Sequence, residues 1–261
     1  MVKTGRQTAG GRRQRLRAAV VAAFLFVAGA APGADSKIEK RAITSRGKLR
    51  TYYAFVPPNI STEHPAPLIV MLHGSGRDGR ELLEAWKGLA EKEGIVLAGP
   101  DSIESARWAS PEDGPLFLRD VVEDVRSKQP IDGRRLYLFG HSAGAVFGLQ
   151  MAPLESEYFA AAALSAGAIE PAYFNLFDFA DRKIPIGIVV GTRDPLFPLS
   201  IVRPVAEALK SRGFPIVLNE IAGHDHKYGA RSKEINDWAW GFLSPVRLPS
   251  DPLYRAYADP P

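Results

Sequence analysis

Four short stretches of this 261-residue chain collect side chains that can do nucleophilic chemistry. Gly140-His141-Ser142-Ala143-Gly144 fits the pattern G-x-S-x-G. That chemistry needs a serine on a tight strand-to-helix turn, with Oγ presented at the helix start, and glycines where a Cβ would block close backbone approach. His73-Gly74-Ser75-Gly76 can offer a backbone N–H to a developing oxyanion, that of Ser75, with Ala143 N–H as the second donor. Gly191-Thr192-Arg193-Asp194-Pro195 places a carboxylate where it can orient an imidazole. Gly223-His224-Asp225-His226 offers two candidate general bases.

Other chemistries fit less well. His73-Gly74-Ser75-Gly76 is not a phosphate loop, because no Gly-Lys-Ser/Thr follows it. His224-x-His226 with an aspartate between has the look of a metal site, but no further ligand motif of usual spacing accompanies it. No metal and no cofactor is expected.

These residues must be carried by elements, and the hydrophobic pattern supplies them. Apolar runs at Leu68–Leu72, Ile95–Ala98, Leu136–Phe139, Ala160–Leu164, Ile184–Val190 and Ile216–Ile221 read as strands, with Leu49–Val56 another. Helical spacing marks Glu81–Glu91, Leu116–Arg126, Ala143–Met151, Ile201–Lys210 and Ser232–Leu243. The alternation implies an α/β fold: a doubly wound, mostly parallel sheet with helices on both faces. Each candidate stretch follows a strand, and the serine also opens a helix.

Composition bounds the rest. An apolar share of 46% rules out disorder, and the absence of cysteine excludes disulfides, thiol nucleophiles and Cys-ligated metals. The formal charge of +4 does not indicate nucleic acid, because Lys3, Arg6, Arg12, Arg13, Arg15 and Arg17 all precede the first acid, Asp35. Without residues 1–34 there are 27 basic and 29 acidic side chains, a net of −2. That leader, with its apolar run Ala18–Ala28 and small residues up to Ala34, reads as a cleaved secretory signal. The run is short for a bilayer span, which takes about 20 apolar residues. The expected product is a secreted or periplasmic bacterial protein without stable membrane insertion. Residues 35–243 read as one domain, and 244–261, with five prolines, as a tail on the surface or disordered.

Over residues 48–243 the chain resembles the α/β-hydrolase superfamily, and within it the secreted carboxylesterases like polyhydroxybutyrate depolymerases and feruloyl esterases. The residues that carry this are Leu72 to Gly76, Ile131-Asp132 with Arg135, Gly140 to Gly144, Gly191 to Asp194 and Gly223-His224. The resemblance implies the order nucleophile, acid, base: Ser142, Asp194, His224. It implies hydrolysis of small or medium esters (aryl, feruloyl or hydroxyalkanoate-like) through an acyl-enzyme. Two departures stand out: Ser75 where many depolymerase relatives have cysteine, and His226 where they have Trp-Pro after the histidine. Esterase-D-like relatives carry Gly-x-Asp-His-x-Tyr, which would select His226; the position directly after the glycine favours His224. A non-catalytic binding protein and a peptidase on the same fold are the alternatives. Tyr173, Phe174, Phe177 and Phe179, and separately Trp108, fit either a substrate pocket or the core.

Overall fold

Residues 37–252 are described by a computed structural model; the expected leader lies outside the described residues. The chain opens with a hairpin, β1 (Glu39–Ser45) and β2 (Lys48–Phe55), joined through Arg46 and Gly47, both at positive φ. Two consecutive positive-φ residues give the turn a twist that matches paired strands. β1 escapes the sequence pattern because it is a half-exposed edge strand with charges at its start.

Then follow β3 (Ala66–Leu72), α1 (Arg80–Glu93), β4 (Val96–Pro100), α2 (Pro115–Lys128), β5 (Ile131–His141) and α3 (Ala143–Leu154). The remaining elements are β6 (Ala161–Ser165), β7 (Ile186–Gly191), α4 (Leu199–Ser211), β8 (Ile216–Ile221) and α5 (Ser232–Leu243). The sheet order is β1-β2-β4-β3-β5-β6-β7-β8, antiparallel in the hairpin and at β2–β4, parallel from there on.

Strand periodicity divides the interior into two layers. Leu68, Val70 and Leu72 of β3 pack with Phe117, Leu118, Val121 and Leu149 on one face. Ile69 and Met71 pack with Leu82, Leu83, Trp86 and Ile235 on the other. Strands covered on both faces are apolar throughout, as parallel strands must be. After β4 the chain crosses back over β3 to form β5, so the winding reverses between β3 and β5. At such a reversal the loops beyond the strand carboxyl ends part and leave a crevice, the usual place for a ligand.

The described part of the proline-rich stretch, 244–252, is held to the start of β5. Leu248 is buried and exchanges hydrogen bonds with Arg134 in both directions, Leu248 N–H to Arg134 O (2.8 Å) and Arg134 Nε–H to Leu248 O (2.7 Å). Tyr137 Oη–H donates to Val246 O (2.7 Å), and Arg247 pairs with Asp132. No helix among the described residues is long and apolar enough to cross a membrane.

Candidate active site

Ser142 is the single residue between β5 and α3, at φ 55° and ψ −118°. A non-glycine residue at positive φ is strained and persists only where its surroundings enforce it. Here the enforcement is steric. A Cβ on Gly144 would lie 1.9 Å from Leu72 O, and one on Gly140 would lie 2.4 Å from Gly144 O. The helix start is pressed against both β5 and the end of β3. Ser142 N–H donates to Ser165 O at the end of β6 (2.9 Å), and Ser142 O accepts from Val146 N–H (2.9 Å).

Asp194 lies just past β7, its side chain fully buried. Oδ1 accepts the N–H groups of Leu196 and Phe197, each at 2.9 Å, so the turn fixes the carboxylate. Oδ2 meets His226 Nδ1 at 2.8 Å, and His226 Nε2 meets Ser142 Oγ at 2.9 Å. The carboxylate only accepts, so Nδ1 carries the proton and Nε2 is free to accept from the serine hydroxyl. Two other rings adjoin the imidazole, His141 (centroids 5.0 Å apart) and Phe197 (5.6 Å).

The expectation that His224 is the residue joining Ser142 to Asp194 is corrected by this geometry: both bonds belong to His226. The reason is the turn that closes β8. His224 N–H folds back to Ile221 O (3.3 Å) around Gly223, at φ 69°. His224 O then accepts from Arg193 N–H (2.9 Å) directly under Gly191, where a Cβ would come within 2.2 Å of it. His224 is thus a buried clamp between the ends of β7 and β8. Two further residues, a reach of about 7 Å in extended chain, bring the second imidazole to the serine. Asp225, between the histidines, accepts Lys227 N–H (2.9 Å) and shapes this loop. No group of metal-ligating side chains is found among the described residues.

His73 is buried, with Nδ1–H on Gly74 O (2.8 Å) and Nε2 accepting Ser102 N–H (3.2 Å). Its loop lies beside the serine: a Cβ on Gly74 would be 3.6 Å from Ser142 Cβ. Ser75 follows Gly74 in this loop, and Ala143 follows the serine at the start of α3. Trp108 donates its indole N–H to His73 O (2.9 Å) and stacks on Phe147 of α3 (5.1 Å). Phe177 is fully buried and stacks on Phe174, a core role, whereas Tyr173 and Phe179 are exposed.

His141, inside the G-x-S-x-G stretch, is a further histidine at the site. Burial, and after it the nearby His226, push its pKa down to about 4, so it stays neutral beside the imidazole. Its only signal was its place next to the serine.

No protein-family model matches the chain. A bifunctional acetylxylan esterase/xylanase from Neocallimastix patriciarum is 27% identical over 153 residues, 57% of this chain and 22% of that protein. The chain thus spans less than a quarter of that relative's length. A thermostable esterase superposes with a TM-score of 0.65 at 20% identity, covering 80% of this chain and 63% of the other. A ferulic acid esterase from Anaeromyces mucronatus, solved with ferulic acid, gives 0.62 at 17% identity, with 81% and 90% covered. The doubly wound sheet expected from the sequence is the fold these structures share.

Proposed function

We propose that the chain, which has the α/β-hydrolase fold and is similar to esterases that include a ferulic acid esterase, is a serine carboxylesterase with Ser142 as nucleophile, His226 as base and Asp194 as the base's partner. The observation that carries this reading is the unbroken relay Asp194–His226–Ser142, at 2.8 and 2.9 Å, ending on a serine in a strained turn. His226 Nε2 takes the Oγ proton as Oγ bonds to the ester carbonyl carbon. The carbonyl electron pair moves onto oxygen, which lies against the N–H groups of Ser75 and Ala143. The tetrahedral intermediate collapses with cleavage of the carbon–alkoxy bond, and His226 returns its proton to the departing alcohol. Water, deprotonated by His226, then attacks the acyl carbon; as the carbon–Oγ bond breaks, His226 gives that proton to Ser142 Oγ, releasing the carboxylic acid and the free serine. Buried Asp194 holds the imidazole in the productive tautomer and stabilises its charged form.

The substrates proposed are small or medium carboxylic esters with aryl, feruloyl or hydroxyalkanoate-like acyl groups. The likeness to the ferulic acid esterase favours the feruloyl end of that range. Residues 1–34 are read as the leader that exports the enzyme.

The test is labelling with a fluorophosphonate, followed by assay on p-nitrophenyl and feruloyl esters. Wild type should be labelled at Ser142 and turn over at least one ester. Ser142→Ala should lose the label and about 10⁴- to 10⁶-fold of the rate while remaining folded. Unlabelled wild type, or a folded Ser142→Ala protein with near-wild-type turnover, would end this reading.

A further inference from the structure

The stretch between β4 and α2, residues 101–114, forms almost no regular structure, yet one buried carboxylate gathers it. Asp113 is fully buried. Its Oδ1 accepts Ile103 N–H (2.9 Å) and Arg50 Nη2–H (2.6 Å), and its Oδ2 accepts Ala109 N–H (2.8 Å). Arg50, reaching across from β2, also donates to Asp101 O (2.9 Å) and Glu112 O (2.6 Å), with its guanidinium over the Phe117 ring. Both ends and the middle of the loop are thereby tied to one ion pair.

The outer part of that loop grips the loop after β3. Ser102 N–H donates to His73 Nε2 (3.2 Å) and Trp108 Nε1–H to His73 O (2.9 Å). Ser75 Oγ–H donates to Ala106 O (2.6 Å), and Gly76 N–H to Ser105 O (2.7 Å). Ser75 is therefore anchored through its own side chain and through the residue that follows it. The direction of its N–H depends on the 102–109 segment, and that segment's shape depends on Asp113.

We propose that Asp113, with Arg50 as its counter-ion, is a positioning residue for the oxyanion donor Ser75. It touches no reacting atom; it holds the loop that aims the N–H. This rests on the ester-hydrolysis reading above. A carboxylate is required because three N–H donors converge on it and it has none to offer in return. An asparagine would set its amide N–H₂ against one of them, leaving a buried donor without an acceptor. A donor displaced by a fraction of an ångström still binds a carbonyl oxygen in the ground state, but it loses the oxyanion, where preorganisation matters most.

The experiment is Asp113→Asn in the whole protein, assayed on a p-nitrophenyl ester well below the variant's melting temperature. We expect kcat to fall by about tenfold or more, a fraction of the loss for deleting a donor outright, with KM within about threefold. Affinity for a trifluoromethyl ketone, which adds Ser142 Oγ and forms an oxyanion, should fall by the same factor as kcat/KM. Affinity for the matching methyl ketone should not move. If Asp113→Asn fails to fold, Arg50→Lys and Trp108→Phe should show the same split to a smaller degree. An unchanged kcat, or a parallel loss of KM and both ketone affinities, overturns the positioning role. Wild type that is neither labelled by a fluorophosphonate nor active on esters would instead overturn the underlying reading.

Discussion

At the scale of single residues, the two histidines after β8 carry different burdens. His226 bonds to both Ser142 and Asp194, and an imidazole about 7 Å back along the chain cannot take over a proton transfer. His226→Ala should therefore cost about as much as Ser142→Ala, and combining the two should cost little more, since members of a relay fail together. His224→Ala should lower the unfolding free energy through the cavity it opens, by about 1–3 kcal/mol, while kcat stays within about tenfold. Steady-state kinetics beside urea melts separate the two. A silent His224→Ala enzyme with an active His226→Ala counterpart would return the base to His224. That histidine follows the glycine directly, as the sequence reading preferred, but the glycine's positive φ is what turns it inward.

At the scale of elements, the serine's exposure is a packing result, and glycines set its tolerances. α3 is apolar nearly all round, as a helix enclosed by sheet and neighbouring segments must be. Its first turn contacts β3 through Gly144, where a Cβ would strike the carbonyl of Leu72 at 1.9 Å. Backbone in the middle of a sheet cannot yield, so Gly144→Ala should destabilise by about 3 kcal/mol or more and slow fluorophosphonate labelling. One turn on, a Cβ at Gly148 would meet Leu164 Cδ2 at 2.4 Å, the far end of a side chain that can rotate. Gly148→Ala should cost clearly less, about 1–2 kcal/mol, with labelling near wild type. Equal effects of the two substitutions would mean that the strand-to-helix turn at Ser142 is not sterically fixed.

At the scale of the whole molecule, the site leaves a mark on stability. His141 holds a pKa of about 4 in the folded protein, against 6.5 in the unfolded chain, chiefly because it is buried. Between these values the unfolded chain takes up a proton that the folded protein refuses. Stability is then complete above about pH 6.5 and is lost as pH falls toward 4, by about 2–3 kcal/mol from this residue. Urea melts of wild type and His141→Gln at pH 7.5 and 4.5 test it: the variant should lose that much less on acidification. Identical acid losses would assign the effect to other groups.

The sequence by itself determined what depends on local chemistry and period. Apolar runs bounded by Gly and Pro located the parallel strands; helical spacing located the five α-helices; the glycines around Ser142 and the aspartate after β7 marked two of the three residues in the relay. These features are legible because each is a property of a few consecutive residues. β1 was missed, since a half-exposed edge strand has little apolar pattern to read. The choice between His224 and His226 needed the tertiary structure. Both share one loop and one composition, and what separates them is distance to groups on β5 and β7, set by how β8 pairs with β7 and where the chain turns at Gly223. The same holds for Asp113 and Arg50, 63 positions apart in sequence and in contact only because β2 pairs with β4 and brings its arginine under the loop that follows.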